Sequence, residues 1–179
     1  MINAIELFGN WDKGYAVDKH IIKSEYMGDD IYGQPRYKTK RTELGELLYQ
    51  FKNHFKYENI NRIMEFVNPF LDNWIDINDV DIIIPIPPSD QRIYQPTYVL
   101  AELIANYLNK YSVSDVLIQR TDVYGKKKIE ITKKANQTFN ALLVDDLYRT
   151  GATMNVCVKT MREDEYLNKI YVLAITIRL

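Results

Sequence analysis

Apolar residues recur along the chain with two spacings, one typical of helices and one typical of strands. Spacings of three and four residues predict amphipathic helices at residues 42–55, 61–74, 97–110 and 152–165. Continuous apolar or β-branched runs predict buried strands at residues 80–86, 113–120, 139–145 and 169–177. Thr42 is a candidate helix cap, and Pro69 is expected to kink or interrupt the second helix. A hairpin is predicted around the turn at residues 123–126, because Ile129 and Ile131 alternate with polar neighbours.

The order of these elements predicts the fold class. From residue 80 onward strands alternate with helices, which predicts an α/β fold with a mostly parallel central sheet and helices on both faces. Residues 1–40 are instead rich in polar and turn residues. We therefore expect two parts, a small β-rich hood or appendage at 1–40 and an α/β core at 41–179. Ligands of open parallel sheets bind beyond the carboxyl ends of the strands, so the loops at 85–92 and 145–153 are expected to face one ligand together.

Composition narrows the classes of function. The 179 residues carry a formal net charge of −1, which argues against a dedicated nucleic-acid binder without excluding nucleic acid as a partner. The single cysteine, Cys157, permits no internal disulfide and is expected to be a small buried residue. With two histidines in the chain, a Cys/His zinc site is not expected. No apolar run has the length of a membrane span, and the first nine residues lack a signal-peptide pattern. We expect a cytoplasmic protein without a membrane partner.

The stretch with the most specific chemistry is residues 141–153, which read ALLVDDLYRTGAT. Apolar residues predict the end of a buried strand, the adjacent carboxylates Asp145 and Asp146 follow, and a hydroxyl-rich turn leads into a helix. Backbone amides at a helix N-terminus bind phosphate, and Gly151 permits close approach of the backbone. The carboxylates would repel a phosphate and need a sugar diol, a metal ion or a cation instead. A sugar phosphate satisfies both halves of the motif.

This stretch resembles the signature with which type I phosphoribosyltransferases bind phosphoribosyl pyrophosphate (PRPP). In that signature an apolar strand ends in two acidic residues before a Thr-Gly-x-Thr turn, here Thr150 to Thr153. The combination of strand, acid pair and phosphate turn within about a dozen residues is far more specific than a lone glycine-rich turn. The alternative is an ordinary strand-to-helix connection with a solvated acid pair.

A second stretch resembles one branch of that superfamily. Residues 84–89, IPIPPS, are similar to the pyrophosphate-binding region of ComF-type phosphoribosyltransferases, which continues with an arginine, here Arg92, and then a helix. The chain departs from that branch in lacking its four-cysteine zinc element and in having a shorter loop after Arg92. It also has Tyr148 and Arg149 at turn positions that are commonly aliphatic and small.

The resemblance implies a reaction in which a nitrogen base displaces pyrophosphate from C1 of PRPP. Asp145 and Asp146 would hold the ribose hydroxyls, and with Arg92 they are the candidate catalytic residues. The implied ligands of the 5′-phosphate are Arg149, Thr150, Gly151, Ala152 and Thr153, and those of the pyrophosphate are Ser89 and Arg92. Arg149 could instead contact the pyrophosphate or point to solvent. Lys126 would belong to a loop that closes over PRPP, the alternative being a solvated hairpin. Mg²⁺ is the implied cofactor, since it binds pyrophosphate and sugar oxygens, and a homodimer is the expected assembly.

Two other kinds of function are compatible with the sequence. A protein with this signature could bind PRPP or a nucleotide without reacting it, as a sensor or regulator in DNA uptake, nucleotide control or defence. The shortened loop after Arg92 would weaken catalysis and leave binding intact. A structural subunit could instead dock a partner through N-terminal aromatic residues, which otherwise serve local packing: Trp11, Tyr15, Tyr26, Tyr32 and Tyr37.

Overall fold

The structure is a computed structural model that describes residues 4–88, 95–121 and 127–178. Its helices are α1 (Glu43–His54), α2 (Asn59–Asn73), α3 (Pro96–Leu108) and α4 (Ala152–Met161), with a 3-10 helix at Ile75–Asp79. Its strands are β1 (Ile5–Glu6), β2 (Lys13–Lys19), β3 (Ile21–Asp29), β4 (Pro35–Arg41), β5 (Ile82–Pro85), β6 (Tyr111–Ser112), β7 (Leu117–Thr121), β8 (Lys127–Ile131), β9 (Phe139–Tyr148) and β10 (Leu167–Ile177). The predicted site residues Ser89, Arg92 and Lys126 lie outside the described residues.

The central sheet has six strands within the described ranges, in the order β1-β2-β10-β9-β5-β6. Its strands pair in parallel, except for β1 and β2 at one edge, which pair in antiparallel fashion. β9 and β10 lie at the centre, where Leu143 is opposite Val172 and both side chains are fully buried. Strands covered on both faces have continuous apolar runs, which explains the sequence pattern. The predicted α/β fold with a mostly parallel sheet is confirmed.

Helices cover both faces of this sheet, as predicted. α1, α2 and α3 pack on one face, with Phe51 and Leu100 in their shared core. α4 packs on the other face together with the β7–β8 hairpin, and there Cys157 is fully buried, as expected. Successive side chains of a strand point to opposite faces, so Val144 of β9 belongs to the first core and Leu143 to the second. None of the helices in these ranges is long and apolar enough to cross a membrane.

The N-terminal residues divide between the sheet and a separate ribbon. β2 pairs in parallel with β10, with Ala16 opposite Ala174, whereas β3 and β4 form a two-stranded antiparallel sheet of their own. This division differs from the hood predicted at residues 1–40, since the first part of that segment supplies core strands. The difference arises because β2 is buried on both faces around Ala16 and Val17, so its sequence lacks the strict alternation of a half-exposed strand.

The N-terminal aromatic residues likewise divide into two groups. Trp11 is buried, and Tyr15 packs edge-on against Trp74 at a centroid distance of 5.2 Å. Tyr26 and Tyr37 form a cross-strand pair on the ribbon, with centroids 5.8 Å apart, and both are mostly exposed. Local packing therefore accounts for the first group and not for the second.

Three elements differ from the sequence prediction: the end of β9, the strand β6 and the continuity of α2. β9 continues past Asp145 to Tyr148, because β10 pairs with it as far as Ile177. The short strand β6 (Tyr111–Ser112), which pairs with β5, has no counterpart in the prediction. α2 runs without a break through Pro69, which is exposed, so the missing proline amide costs a hydrogen bond without disturbing the core.

Thr42 caps α1, as predicted, and also ties the helix to the preceding chain. Its hydroxyl accepts a hydrogen bond from the Gly45 amide at 3.0 Å and donates one to the Lys19 carbonyl at 2.6 Å. Lys19 ends β2, so this one side chain fixes the start of α1 beside the carboxyl end of a core strand.

Substituting Pro69 should stabilise the protein. Pro69→Ala restores an amide that can bond to the preceding helical turn, and proline inside a helix costs up to about 3 kcal/mol relative to alanine. We expect the free energy of unfolding, measured by urea titration, to rise by about 1 to 3 kcal/mol. The matched control is Pro96→Ala, since Pro96 occupies the first turn of α3, where proline is well tolerated. A gain of equal size in both variants, or none in Pro69→Ala, would contradict this account.

Candidate functional site

A cavity of about 630 Å³ lies at the carboxyl ends of the parallel strands. This volume is within the range of small-molecule sites, roughly 300–1,000 Å³. Its walls come from β9, the loop after β5, the starts of α3 and α4, helix α1, the base of the ribbon and the end of β10. The ionisable side chains on these walls are His20, Arg41, Tyr49, Lys52, Asp145, Asp146, Arg149 and Arg178.

The two adjacent aspartates lie on opposite faces of β9. Asp146 follows Val144 on the face covered by α1, and Asp145 follows Leu143 on the face covered by α4. Both nevertheless line the same cavity, since it extends across the end of the sheet. The acid pair can therefore contact a ligand from two sides of one strand.

Asp146 is buried and has a cationic partner. Its carboxylate lies 2.6 Å from Nζ of Lys52 on α1, and its side chain is only 7% exposed. A carboxylate removed from water needs such a partner, because an isolated buried charge is strongly unfavourable. The ion pair thus joins the first helix of the chain to the acid motif more than 90 residues further along.

Asp145 is in a less favourable environment. Burial, together with the nearby charge of Asp146, raises the pKa of Asp145 from its usual value of 3.8 to about 7. Its Oδ1 accepts a hydrogen bond from the Asp146 amide at 2.8 Å, which favours the charged form without offsetting the burial. On the α4 side, burial and the Asp145 charge raise the pKa of Cys157 to about 12, so this thiol stays protonated. Asp145 would be stabilised by any ligand that donates hydrogen bonds to it.

The turn between β9 and α4 has the conformation that a phosphate site needs. Gly151 precedes the helix with a φ of +74°, and a Cβ at this position would collide with the Tyr148 hydroxyl. A non-glycine residue would therefore be strained here and would have to displace the Tyr148 side chain. Thr150 Oγ1 accepts a hydrogen bond from the Ala152 amide at 3.4 Å. Because Gly151 has no side chain to cap α4, the first helical amides after Ala152 are left for solvent or a ligand.

Cations surround the acid pair. Four of them, Arg41, Lys52, Arg149 and Arg178, line the cavity, against two carboxylates. Arg41 at the end of the ribbon stacks on Tyr49, with its guanidinium carbon 3.7 Å from the ring centroid, and lies 3.2 Å from Glu46. Its buried Nε has no hydrogen-bond partner among the described residues. This excess of positive charge favours a ligand with several negative charges.

The sequence-predicted residues are distributed unevenly around this cavity. Asp145, Asp146, Arg149 and Thr153 line it, while Thr150, Gly151 and Ala152 form the adjoining turn and the start of α4. Ser89, Arg92 and Lys126 fall outside the described residues. The loop that contains the first two is flanked by Pro88 and Gln95, both of which line the cavity.

Sequence reasoning missed four basic residues of the cavity: His20, Arg41, Lys52 and Arg178. Lys52 had a detectable signal, because it lies four residues after the buried Leu48 and thus beside the apolar face of α1. The other three follow or end strands in the N-terminal segment or at the C-terminus. Their places at the cavity depend on the pairing of β2 with β10, which joins distant parts of the chain.

The described residues provide no ready-made metal site. In the ranges 4–88, 95–121 and 127–178, no group of three or more His, Cys, Asp or Glu side chains is arranged to hold a metal ion.

Comparison with solved structures identifies the fold. The chain is similar to the adenine phosphoribosyl transferase of Trypanosoma brucei, solved with AMP, pyrophosphate and ribose-5-phosphate, at 14% identity and a TM-score of 0.52, over 97% of this chain and 74% of that one. A similarity at this identity concerns the fold alone. The fold is that of the type I phosphoribosyltransferases.

Two further solved structures are less similar. They are the purine phosphoribosyltransferase of Pyrococcus horikoshii Ot3 (15% identity, 68% of this chain and 74% of that one, TM-score 0.47) and the adenine phosphoribosyltransferase of Saccharomyces cerevisiae (13% identity, 84% of each chain, TM-score 0.46). No protein-family model matches the sequence, and no curated protein matches it.

Removing the charge of Asp145 should stabilise the free protein at high pH. The pKa of Asp145 is about 7 in the folded protein, compared with the ordinary value of 3.8 expected in the unfolded chain. Above pH 7 the ionised carboxylate therefore lowers the free energy of unfolding. Asp145→Asn keeps an acceptor for the Asp146 amide and should raise the free energy of unfolding at pH 8 by roughly 1 to 4 kcal/mol. The gain should shrink as the pH falls from 7 toward 4, because the native carboxylate then binds a proton.

The neighbouring acid provides the control for that measurement. Asp146→Asn should lower the stability at pH 8, since Lys52 loses the carboxylate 2.6 Å away. Urea titrations of both variants at pH 8 and pH 5 distinguish the two environments. Equal destabilisation of the two variants at pH 8 would refute the assignment of an unfavourable charge to Asp145.

Proposed function

We propose that this protein binds PRPP in the cavity at the carboxyl ends of its strands and transfers the phosphoribosyl group to a nitrogen base, with release of pyrophosphate. The observation that carries this proposal is the meeting, in one cavity, of the Asp145–Asp146 pair, the residues of the α4 turn and an excess of cations. PRPP has a phosphate, a diol and a pyrophosphate in fixed order, and we assign each of these groups to a chemically matched set of residues.

The first two groups of PRPP are assigned to the acid motif and the turn after it. The 5′-phosphate would bind at the leading amides of α4, with Gly151 allowing close approach, Thr150 and Thr153 donating hydroxyl bonds, and Arg149 adding a charge-assisted one. The ribose hydroxyls would donate to Asp145 and Asp146. This contact would give the Asp145 carboxylate the donors that its present surroundings lack.

The pyrophosphate is assigned to the loop after β5. Ser89 and Arg92 belong to this loop, and Pro88 and Gln95 on either side of it line the cavity. Lys126 belongs to the second loop proposed to close over PRPP. Both loops would supply cations for the charge that develops on the leaving group, which is where most of the rate enhancement is expected.

Magnesium fits this site as a companion of the substrate. Mg²⁺ keeps several waters and binds phosphate oxygens rather than dedicated protein cages, which agrees with the lack of a protein metal cluster among the described residues. When bound, it would supply charge neutralisation on the pyrophosphate. The protein's own residues would hold and orient PRPP.

Three finer assignments are also part of the proposal. The β3–β4 ribbon, rather than all of residues 1–40, would act as the hood, since its end at Arg41 borders the cavity. Membership of the ComF-type branch rests on the residues of the β5 loop. A homodimer is proposed, and the mass of the protein in solution, measured by light scattering, tests it.

The proposal is tested by binding and by turnover. PRPP with Mg²⁺ should bind in isothermal titration calorimetry, and a panel of purine and pyrimidine bases should include one that releases pyrophosphate. Asp145→Asn should weaken PRPP binding at least about tenfold, since hydrogen bonds to charged groups contribute roughly 1.5–3 kcal/mol. It should do so although the variant is more stable, which separates loss of ligand contact from loss of fold.

The matched control is Asp115→Asn, which removes an exposed carboxylate paired with Lys133 and should bind PRPP like the unaltered protein. Unchanged affinity in Asp145→Asn, or no binding by the unaltered protein, would overturn the site assignment. Binding without pyrophosphate release against any base would favour the sensor function over the enzyme.

A further inference from the structure

His20 occupies a place in the cavity that no motif in the sequence accounts for. It directly follows β2, and its amide donates a hydrogen bond to the Ile177 carbonyl at 2.7 Å. His20 is buried, with only 8% of its surface exposed. It is also one of the residues that line the cavity. A buried histidine at the wall of a charged site can be structural or can contact the ligand, and its hydrogen bonds distinguish these cases.

The hydrogen bonds of His20 engage one of its two ring nitrogens. Nδ1 lies 3.0 Å from Oγ1 of Thr176, a fully buried residue of β10. The Thr176 hydroxyl in turn donates to the Asp146 carbonyl at 3.5 Å. When the Thr176 hydroxyl donates to that carbonyl, Nδ1 of His20 is the donor to Thr176, and Nε2 carries the free lone pair. His20 lines the cavity, and Nε2 is the ring nitrogen that is not engaged with Thr176.

The sheet order places His20, which follows β2, and the end of β5, where the proposed pyrophosphate loop begins, on opposite sides of β9. β9, which carries the acid pair, lies between β5 on one side and β10 and β2 on the other. The proposed pyrophosphate loop follows β5, and His20 follows β2. A displacement at C1 brings the nucleophile to the face of the sugar opposite to the leaving group. The acceptor is therefore expected on the β2 side, next to His20.

We propose that His20 is the catalytic residue that accepts the proton of the attacking nitrogen, with Thr176 as its positioning residue. This inference rests on the proposed function. In the step, the C1–O bond to pyrophosphate breaks and pyrophosphate leaves with the electron pair. The acceptor nitrogen forms the N–C1 bond, and its proton passes to Nε2 of His20 and then to water after product release. The acceptor class is a nitrogen heterocycle that carries an N–H at the reacting position.

The charged surroundings of His20 keep it ready for this role. Burial and the cation Arg41 are the main causes that lower its pKa from 6.5 to about 4; Asp146 of β9 opposes them, while Arg178 after β10 and Lys52 of α1 add to them. The imidazole is therefore neutral at pH 7. Bound phosphates would offset these cations and raise the pKa of His20 toward 6.5, which makes it a better base when PRPP is present.

The test compares His20→Gln with the unaltered protein under saturating PRPP and Mg²⁺. Glutamine keeps a hydrogen-bond acceptor but takes no proton, so kcat should fall at least about 100-fold, the typical contribution of a general base, while PRPP affinity by calorimetry stays within about twofold. In the unaltered protein kcat should decrease below a pKa between about 4 and 6.5. This acid limb should be absent in His20→Gln.

Two further variants keep the inference falsifiable. Thr176→Val is nearly isosteric and should lower kcat about tenfold with an unchanged KM for PRPP. This effect is smaller than the loss of a general base, because the variant keeps His20 and removes only the group that positions it. His54→Gln, on the exposed end of α1 and outside the cavity, should match the unaltered protein. Thermal melts of all three variants verify that they are folded.

The outcomes separate the two proposals. Normal PRPP binding with retained turnover and an unchanged pH profile in His20→Gln overturns the role of His20 and leaves the proposed function standing. PRPP binding by the unaltered protein with no pyrophosphate release against any heterocycle also overturns the role of His20. Failure of the unaltered protein to bind PRPP overturns the proposed function itself.

Discussion

The constraint on which this structure depends is the presence of two carboxylates on a strand that is buried on both faces. β9 has a parallel neighbour on each side and a helical layer above and below, so a charge near its end is costly. On the face covered by α1, the ion pair with Lys52 stabilises the Asp146 carboxylate. The other face leaves Asp145 with an elevated pKa and a single backbone donor. Such an uncompensated group is typical of a functional site, where stability is given up for a ligand contact.

Helix α1 connects this constraint to the rest of the cavity. Thr42 caps the helix and binds the end of β2, and a side chain at Gly45 would collide with the His20 carbonyl. The helix therefore lies directly on the segment between β2 and the ribbon. About two turns after Gly45, the same helix brings Lys52 to Asp146. A single rigid element thus sets the relative positions of His20, Lys52 and the acid pair, and binding residues held on such elements are more precisely placed than those on loops.

Features that depend on neighbouring residues could be predicted from the sequence, and features that depend on contacts between distant residues could not. The acid motif and the helices have local patterns, because the apolar spacing around Thr42 and the order of residues 141–153 each fall within about a dozen positions. The place of β2 depends on its pairing with β10, a contact across most of the chain. That pairing also brings His20 to the cavity, so the same long-range contact hid both the extent of the sheet and one of its candidate catalytic residues. The Lys52–Asp146 ion pair was hidden for the same reason.

The two faces of β9 divide the chemistry between them. On the α4 side, Asp145 lies beside a neutral thiol and near the turn at Gly151, a place suited to a sugar phosphate whose hydroxyls donate hydrogen bonds. On the α1 side, Asp146 lies within a network of Lys52, Thr176 and His20. Strand geometry enforces this division, since adjacent residues cannot share a face. Two consecutive acids are therefore not redundant: one can meet a ligand beside the α4 turn, and the other can meet it beside Lys52 on α1.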